Sequence, residues 1–183
     1  QSFSVSADMY HRFGAFQTNL LIEGFYTRLT DVFVLGKPYD RGDGILVKTR
    51  SNGPGAKVMG LTLEGKVAYL SILQIQAGLT LQRSRYDEPH KWHDDAPAEK
   101  KIFRTPDTYG YFTATCTPIK PLSIALSGTY TGRMLVQRMD ITAENAELGK
   151  MPERKAEAIR TPRFFDLGVK LAYDFKLYKT VDL

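Results

Sequence analysis

One run in the chain carries side-chain types that could do chemistry: His90-Lys91-Trp92-His93-Asp94-Asp95. Two imidazoles three residues apart share one side of a helical turn, and Asp94 or Asp95 would add an oxygen donor to a shared cation. Nothing closes the ligand shell and no cysteine lies near, so neither a resident metal nor a cofactor is expected. The run reads better as a contact loop, in which Trp92 and nearby Tyr86 offer flat contact area to an arriving molecule. Arg133 shares the polar parity of its own strand and would draw an anionic group. The expected ligand-binding residues are therefore Tyr86, His90, Trp92, His93 and Arg133. No Gly-x-Ser-x-Gly, phosphate loop or His-Glu-x-x-His occurs, and an enzyme is not expected.

The elements that must position these residues are strands. The chain has 183 residues, 43% of them hydrophobic and 25% charged, which fits one ordinary domain and excludes a disordered chain. The single cysteine, Cys116, excludes an internal disulfide and reads as a small hydrophobe. A net charge of +5 is spread among acidic residues without a basic patch in sequence, so nucleic acid is not expected as a partner. No stretch approaches the ~18 uncharged apolar residues of a membrane helix.

Alternation is the dominant signal. Leu73, Ile75, Ala77, Leu79 and Leu81 share one face against Gln74, Gln76, Thr80 and Gln82, a two-residue period. The same period runs from Leu122 to Val136, from Phe165 to Phe175, from Phe3 to Met9, around Met59–Val67 and between Tyr109 and Thr117. Phe16–Leu35 is β-rich, with a bulge expected near Thr27–Thr30. Arg83 and Arg85 share the parity of the apolar face; Glu64 and Lys66 fall on the polar one. Short connections at Gly14–Ala15, Leu70–Ser71, Pro118–Pro121 and Leu177–Thr180 alternate with long polar ones at Gly36–Gly55, Asp87–Phe103 and Met139–Arg160. Aromatics gather at both ends: Phe13, Phe16, Tyr69, Phe175 and Tyr178 by the short turns, and Phe33, Tyr86, Tyr109, Phe164 and Phe165 by the long ones. Arg104-Thr105-Pro106 and Arg160-Thr161-Pro162 each close a long connection and open a strand.

Long half-apolar strands, short turns at one end and aromatic belts describe the wall of an outer-membrane barrel. The expected fold is all-β, an antiparallel up-and-down meander forming a fragment of a large transmembrane β-barrel. It comprises about seven strands over residues 1–183 and the start of another at Val181. Seven strands cannot close a bacterial single-chain barrel, which has an even number.

Several segments resemble the barrel of TonB-dependent outer-membrane receptors, particularly those of Bacteroidetes-type bacteria. Glu23-Gly24-Phe25-Tyr26-Thr27-Arg28-Leu29-Thr30-Asp31 resembles that family's strand motif of paired aromatics before a basic residue and an aspartate. Asn52-Gly53-Pro54-Gly55-Ala56 leading to Gly60-Leu61-Thr62-Leu63-Glu64 is similar to a second motif, with Thr62 where the family often has Glu. Arg104-Thr105-Pro106-Asp107 and Arg160 through Leu167 resemble its later strands. The resemblance implies the outer membrane of a Gram-negative bacterium and a lipid-facing wall. It implies uptake of a scarce bulky nutrient (an iron chelate such as a siderophore, haem or a cobalamin) met at the extracellular loops. It also implies coupling to TonB through a plug domain which, like the closing strand, is not among these residues. Two rivals share the periodicity: a soluble lipocalin-like barrel with the apolar face inward around a small apolar ligand, and a plug-less porin or adhesin wall.

Overall fold

The computed structural model describes residues 1–93, 96–141 and 154–175. Twelve strands lie in that span: β1 (Ser2–Phe13), β2 (Phe16–Leu29), β3 (Phe33–Asp40), β4 (Leu46–Asn52), β5 (Ala56–Tyr69), β6 (Leu73–His90), β7 (Glu99–Lys101), β8 (Thr108–Ile119), β9 (Leu122–Thr131), β10 (Leu135–Ile141), β11 (Arg154–Arg160) and β12 (Phe164–Tyr173). Seven of them form one antiparallel meander in the order β1-β2-β5-β6-β8-β9-β12, with β7 attached to β6. β3–β4 and β10–β11 are separate two-stranded hairpins. The all-β up-and-down meander is thus the observed fold. Its outer strands, β1 and β12, each have one partner, β2 and β9, and are not hydrogen-bonded to each other.

Register carries the main consequence. A one-residue slip in any pair would send that strand's side chains to the opposite face. Instead every pair keeps parity. Ile22 faces Leu63, Leu63 faces Leu79, and Leu79 faces Gly110. Farther along, Phe112 faces Gly128 and Gly128 faces Leu167. The apolar sides of seven strands therefore merge into one continuous face. At the short-turn end this face closes on an aromatic row: Phe13 opposite Phe16 and Phe16 opposite Tyr69, with ring centroids 5.6 and 4.7 Å apart.

Among the described residues, nothing covers that face. Leu61, Leu63, Leu79 and Leu81 are 41, 39, 42 and 47% exposed, whereas Thr80 and Ser84 on the opposite side of β6 are 6 and 2% exposed. Among the described residues the buried hydrophobics are only Ala56, Ala96, Leu135 and Ala156. On β8 and β9 the polar Thr113, Thr115, Ser127 and Thr129 are exposed as well, so no second layer lies over that side there. The usual arrangement of a water-soluble sheet, apolar side chains turned onto a core, is absent from these residues.

The structure corrects four expectations. The bulge near Thr27–Thr30 is not there: β2 pairs with β5 without a shift through Leu29↔Ala56, and the chain turns at Asp31, whose φ is 56°. The connection Gly36–Gly55 is largely the β3–β4 hairpin, and the described parts of Met139–Arg160 belong to β10 and β11. β6 runs on to His90, into the second long connection, Asp87–Phe103. Finally, the alternation from Leu122 to Val136 is not one strand. β9 ends at Thr131, residues 132–134 lie outside any strand, and β10 begins at Leu135. β12 begins at Phe164, opposite Thr131, and so leaves β9 without a partner on that side beyond this point. Pro162 has no N–H to extend the ladder, and Thr161 N bonds Met134 O at 2.9 Å instead. The turn at Leu177–Thr180, Tyr178 and the strand start at Val181 lie outside the described residues.

Candidate functional site

The candidate ligand residues sit above the apolar face, where β6 outruns its neighbours. Tyr86 is the last residue of β6 paired to β5, opposite Ala56. Beyond it, Asp87 N donates to Gly55 O at 2.8 Å, and Asp87 Oδ1, shielded from solvent, meets Lys57 Nζ at 2.7 Å. Gly55 is required for this approach, since a Cβ there would stand 2.6 Å from Asp87 Oδ2 and 3.0 Å from Leu29 O. The Lys57 hydrogen bond holds the Asp87 carboxyl below its usual range, and burial pushes the Tyr86 phenol up.

Two aromatic groups result. Tyr86 and His90 place their rings 5.5 Å apart. Trp92 stands beside His93 at 5.8 Å and edge-on to Phe103 at 6.4 Å. Phe103, which carries no motif or periodicity to mark it, thus completes the group around the tryptophan. Trp92 Nε1 and Ser84 Oγ are enclosed without hydrogen-bond partners among the described residues, donors that a polar guest at this end of the sheet could use.

Arg133 does not join them. It is exposed in the break between β9 and β10, so strand parity no longer fixes its side, and it forms no hydrogen bond or ion pair among the described residues. No group of three metal-ligating side chains converges among the described residues, and Asp94 and Asp95 lie outside them.

A second polar constellation, on the opposite face of the meander, was not singled out from sequence. Tyr111 Oη donates to Glu64 Oε1 and accepts from Gln76 Nε2 at 2.9 Å. Beside them, Thr62 and Thr80 hydroxyls lie 3.1 Å apart, and Gln82 Nε2 donates to Pro106 O at 2.9 Å. Gly78 lies between Glu64 and Tyr111 in the register and leaves room for the phenol. A glycine amid a strand was the available signal, because it marks a place where something else comes close.

Compared with known proteins, the chain matches no family model and no curated sequence. No nucleophile is paired with a base, and no two carboxylates face one another, within the hydrogen bonds and ion pairs found among the described residues. What the arrangement offers is a large apolar surface, a hydrogen-bonding polar surface and a raised aromatic tier.

Proposed function

We propose that this meander is a stretch of outer-membrane β-barrel wall, and that the tier carrying Tyr86, His90, Trp92, His93 and Phe103 meets an incoming ligand. The observation that carries the reading is the unbroken apolar face over seven strands, which no described residue covers. Exposed apolar patches on water-soluble monomers are usually a few hundred Å². Lipid is the solvent in which such a face is at rest.

The height agrees. From Phe16 to Tyr26 the face spans eleven residues of β2, about 33 Å along the strand. At the ~35–45° tilt of membrane strands this becomes about 25 Å, the height of an outer-membrane apolar band. The edges agree as well. β1 is exposed along its whole length, a pairing site for further strands of a larger wall and a hazard if left open in water.

Within that class, the resemblance to TonB-dependent receptors favours a transporter for a scarce bulky nutrient: an iron chelate, haem or a cobalamin. A porin or adhesin wall is the second reading, distinguished by the absence of a plug in the native polypeptide. The lipocalin-like arrangement is disfavoured, since it needs Leu61, Leu63, Leu79 and Leu81 to line a closed cavity. Fractionated cells probed with an antibody to residues 86–103, boiled and unboiled, test the proposal. A heat-modifiable outer-membrane band well above 20.6 kDa is expected; a soluble band near that mass would overturn it.

A further inference from the structure

The register assembles a basic row that is invisible in sequence. Arg28 stands opposite Lys57, Lys57 opposite Arg85, and Arg85 opposite Lys101, so four cations cross four neighbouring strands in line. Directly opposed residues have Cβ atoms about 5 Å apart. The row continues the parity of the apolar face, one step beyond the row of Tyr26, Met59 and Arg83. It therefore lies on the outward side, at the long-connection rim.

Like charges directly opposite are unfavourable in a sheet. Two of these cations have carboxylate partners, Lys57 with Asp87 and Lys101 with Asp107. Arg28, Arg83 and Arg85 are exposed and form no ion pair or hydrogen bond through their guanidinium groups among the described residues. Arg28 shares the field of Asp87 with Lys57, one carboxylate for two cations, while Arg83 and Arg85 face none; the guanidinium fork matches phosphate oxygens. A shallow groove of about 750 Å³ adjoins Arg83, its lining including Tyr26, Met59, Leu61, Leu81 and Asp107, the last already paired with Lys101.

We infer that Arg28, Arg83 and Arg85 form a site for the negatively charged phosphate headgroup of a membrane lipid, with its acyl chains lying along the adjoining apolar face. The inference rests on the wall reading and adds a specific lipid contact to it. Lipid is favoured over free phosphate because the cations border an apolar surface at headgroup level, where each Lys or Arg strengthens attraction to anionic lipid.

The test uses the protein in nanodiscs of phosphatidylcholine with and without phosphatidylglycerol, with retained lipid measured after exchange. The protein should enrich phosphatidylglycerol, and Arg28→Gln with Arg85→Gln should weaken that enrichment about 25-fold, about fivefold per charge. Lys66→Gln, on the polar side of β5, should leave it unchanged. Because the two arginines oppose like charges, the double variant should also unfold at an equal or higher temperature in phosphatidylcholine alone, which separates lost lipid from lost fold. Equal enrichment in the double variant, or displacement of the lipid by an equal concentration of inorganic phosphate, would overturn the site while leaving the wall intact. Failure of the protein to enter nanodiscs of either composition would overturn both.

Discussion

Tyr111 lies across Gly78, and its hydroxyl donates to Glu64 Oε1 on the far side of β6. Three strands are thereby tied together by side chains as well as by their backbone ladders. A Cβ at residue 78 would come within 2.6 Å of the Tyr111 ring and 3.1 Å of Glu64 Cγ. Gly78→Ala should therefore displace the phenol and break its bonds to Glu64 and Gln76, costing about 1–3 kcal/mol. Tyr111→Phe should cost a similar amount by leaving the carboxylate unsatisfied. Unfolding of the reconstituted protein by denaturant reads both; two unchanged midpoints would contradict the role given to this chain of bonds.

On the apolar side a glycine serves a similar end. Phe112 and Phe165 stack over Gly128, with centroids 6.1 Å apart and planes 13° from parallel. An added Cβ at residue 128 would fall 2.3 Å from Phe112 and 2.8 Å from Phe165. Overpacking of this kind costs about 1–3 kcal/mol. Gly128→Ala should loosen β12 selectively, raising amide exchange at Leu167 and Val169 while the β5–β6 pair keeps its protection. Uniform protection across both would refute the point.

Strand identity and face were legible because a two-residue period needs no knowledge of partners. Leu73–Leu81 and Phe112–Cys116 are placed as their alternation predicts. Partner-dependent features were not legible. Whether β9 continues past Thr131 depends on where β12 begins, which the pattern Tyr130, Met134, Val136 does not contain. The hairpins within the long connections escaped for a related reason, since their polar sequences lack the contrast that exposes a half-buried strand. Of the candidate site, Tyr86 meets His90 and Trp92 meets His93 because each pair is close in sequence. The Glu64–Tyr111 contact depends on register, a property of pairs, while Arg133 and Phe103 lie outside the strands, where alternation says nothing.

The tip of the β3–β4 hairpin shows how an exposed turn is held. Asp40 Oδ1 accepts from Gly42 N at 2.8 Å and Gly44 N at 3.2 Å, while Arg41 Nη2 pairs with Asp43 Oδ2 at 2.6 Å. Gly42 and Gly44 have φ of 100° and 78°, conformations that L side chains resist. Asp40→Ala removes the shared acceptor and should speed tryptic cleavage after Arg41 severalfold. An unchanged cleavage rate would show that the glycines alone set the turn.

Acid should release the extension of β6. The Asp87 carboxyl is held below its ordinary 3.8 by the hydrogen bond from Lys57, aided by the charges of Lys57, Arg28 and Lys100 and opposed by burial. A group depressed in the folded state contributes stability above its unfolded value and loses it as pH falls through the folded one. The link should therefore be intact from pH 7 down to about 4 and fail below. Trp92, the single tryptophan, reports it: emission should hold steady and then shift red, while Asp87→Asn should be red-shifted already at pH 7. A variant matching the parent at every pH would remove Asp87 from the account.

The central claim is that the apolar face meets lipid, and paired probes on β6 and β8 test it most directly. In a Cys116→Ser background, fluorophores are attached at Leu79→Cys on the apolar face and at Thr113→Cys on the exposed polar one; Thr80, at 6% exposure, is too enclosed to label. Lipid-borne quenchers should extinguish the probe at residue 79 and spare that at 113, while a water-soluble quencher does the reverse. Aqueous quenching at residue 79 with protection from the lipid-borne agents would contradict the membrane wall.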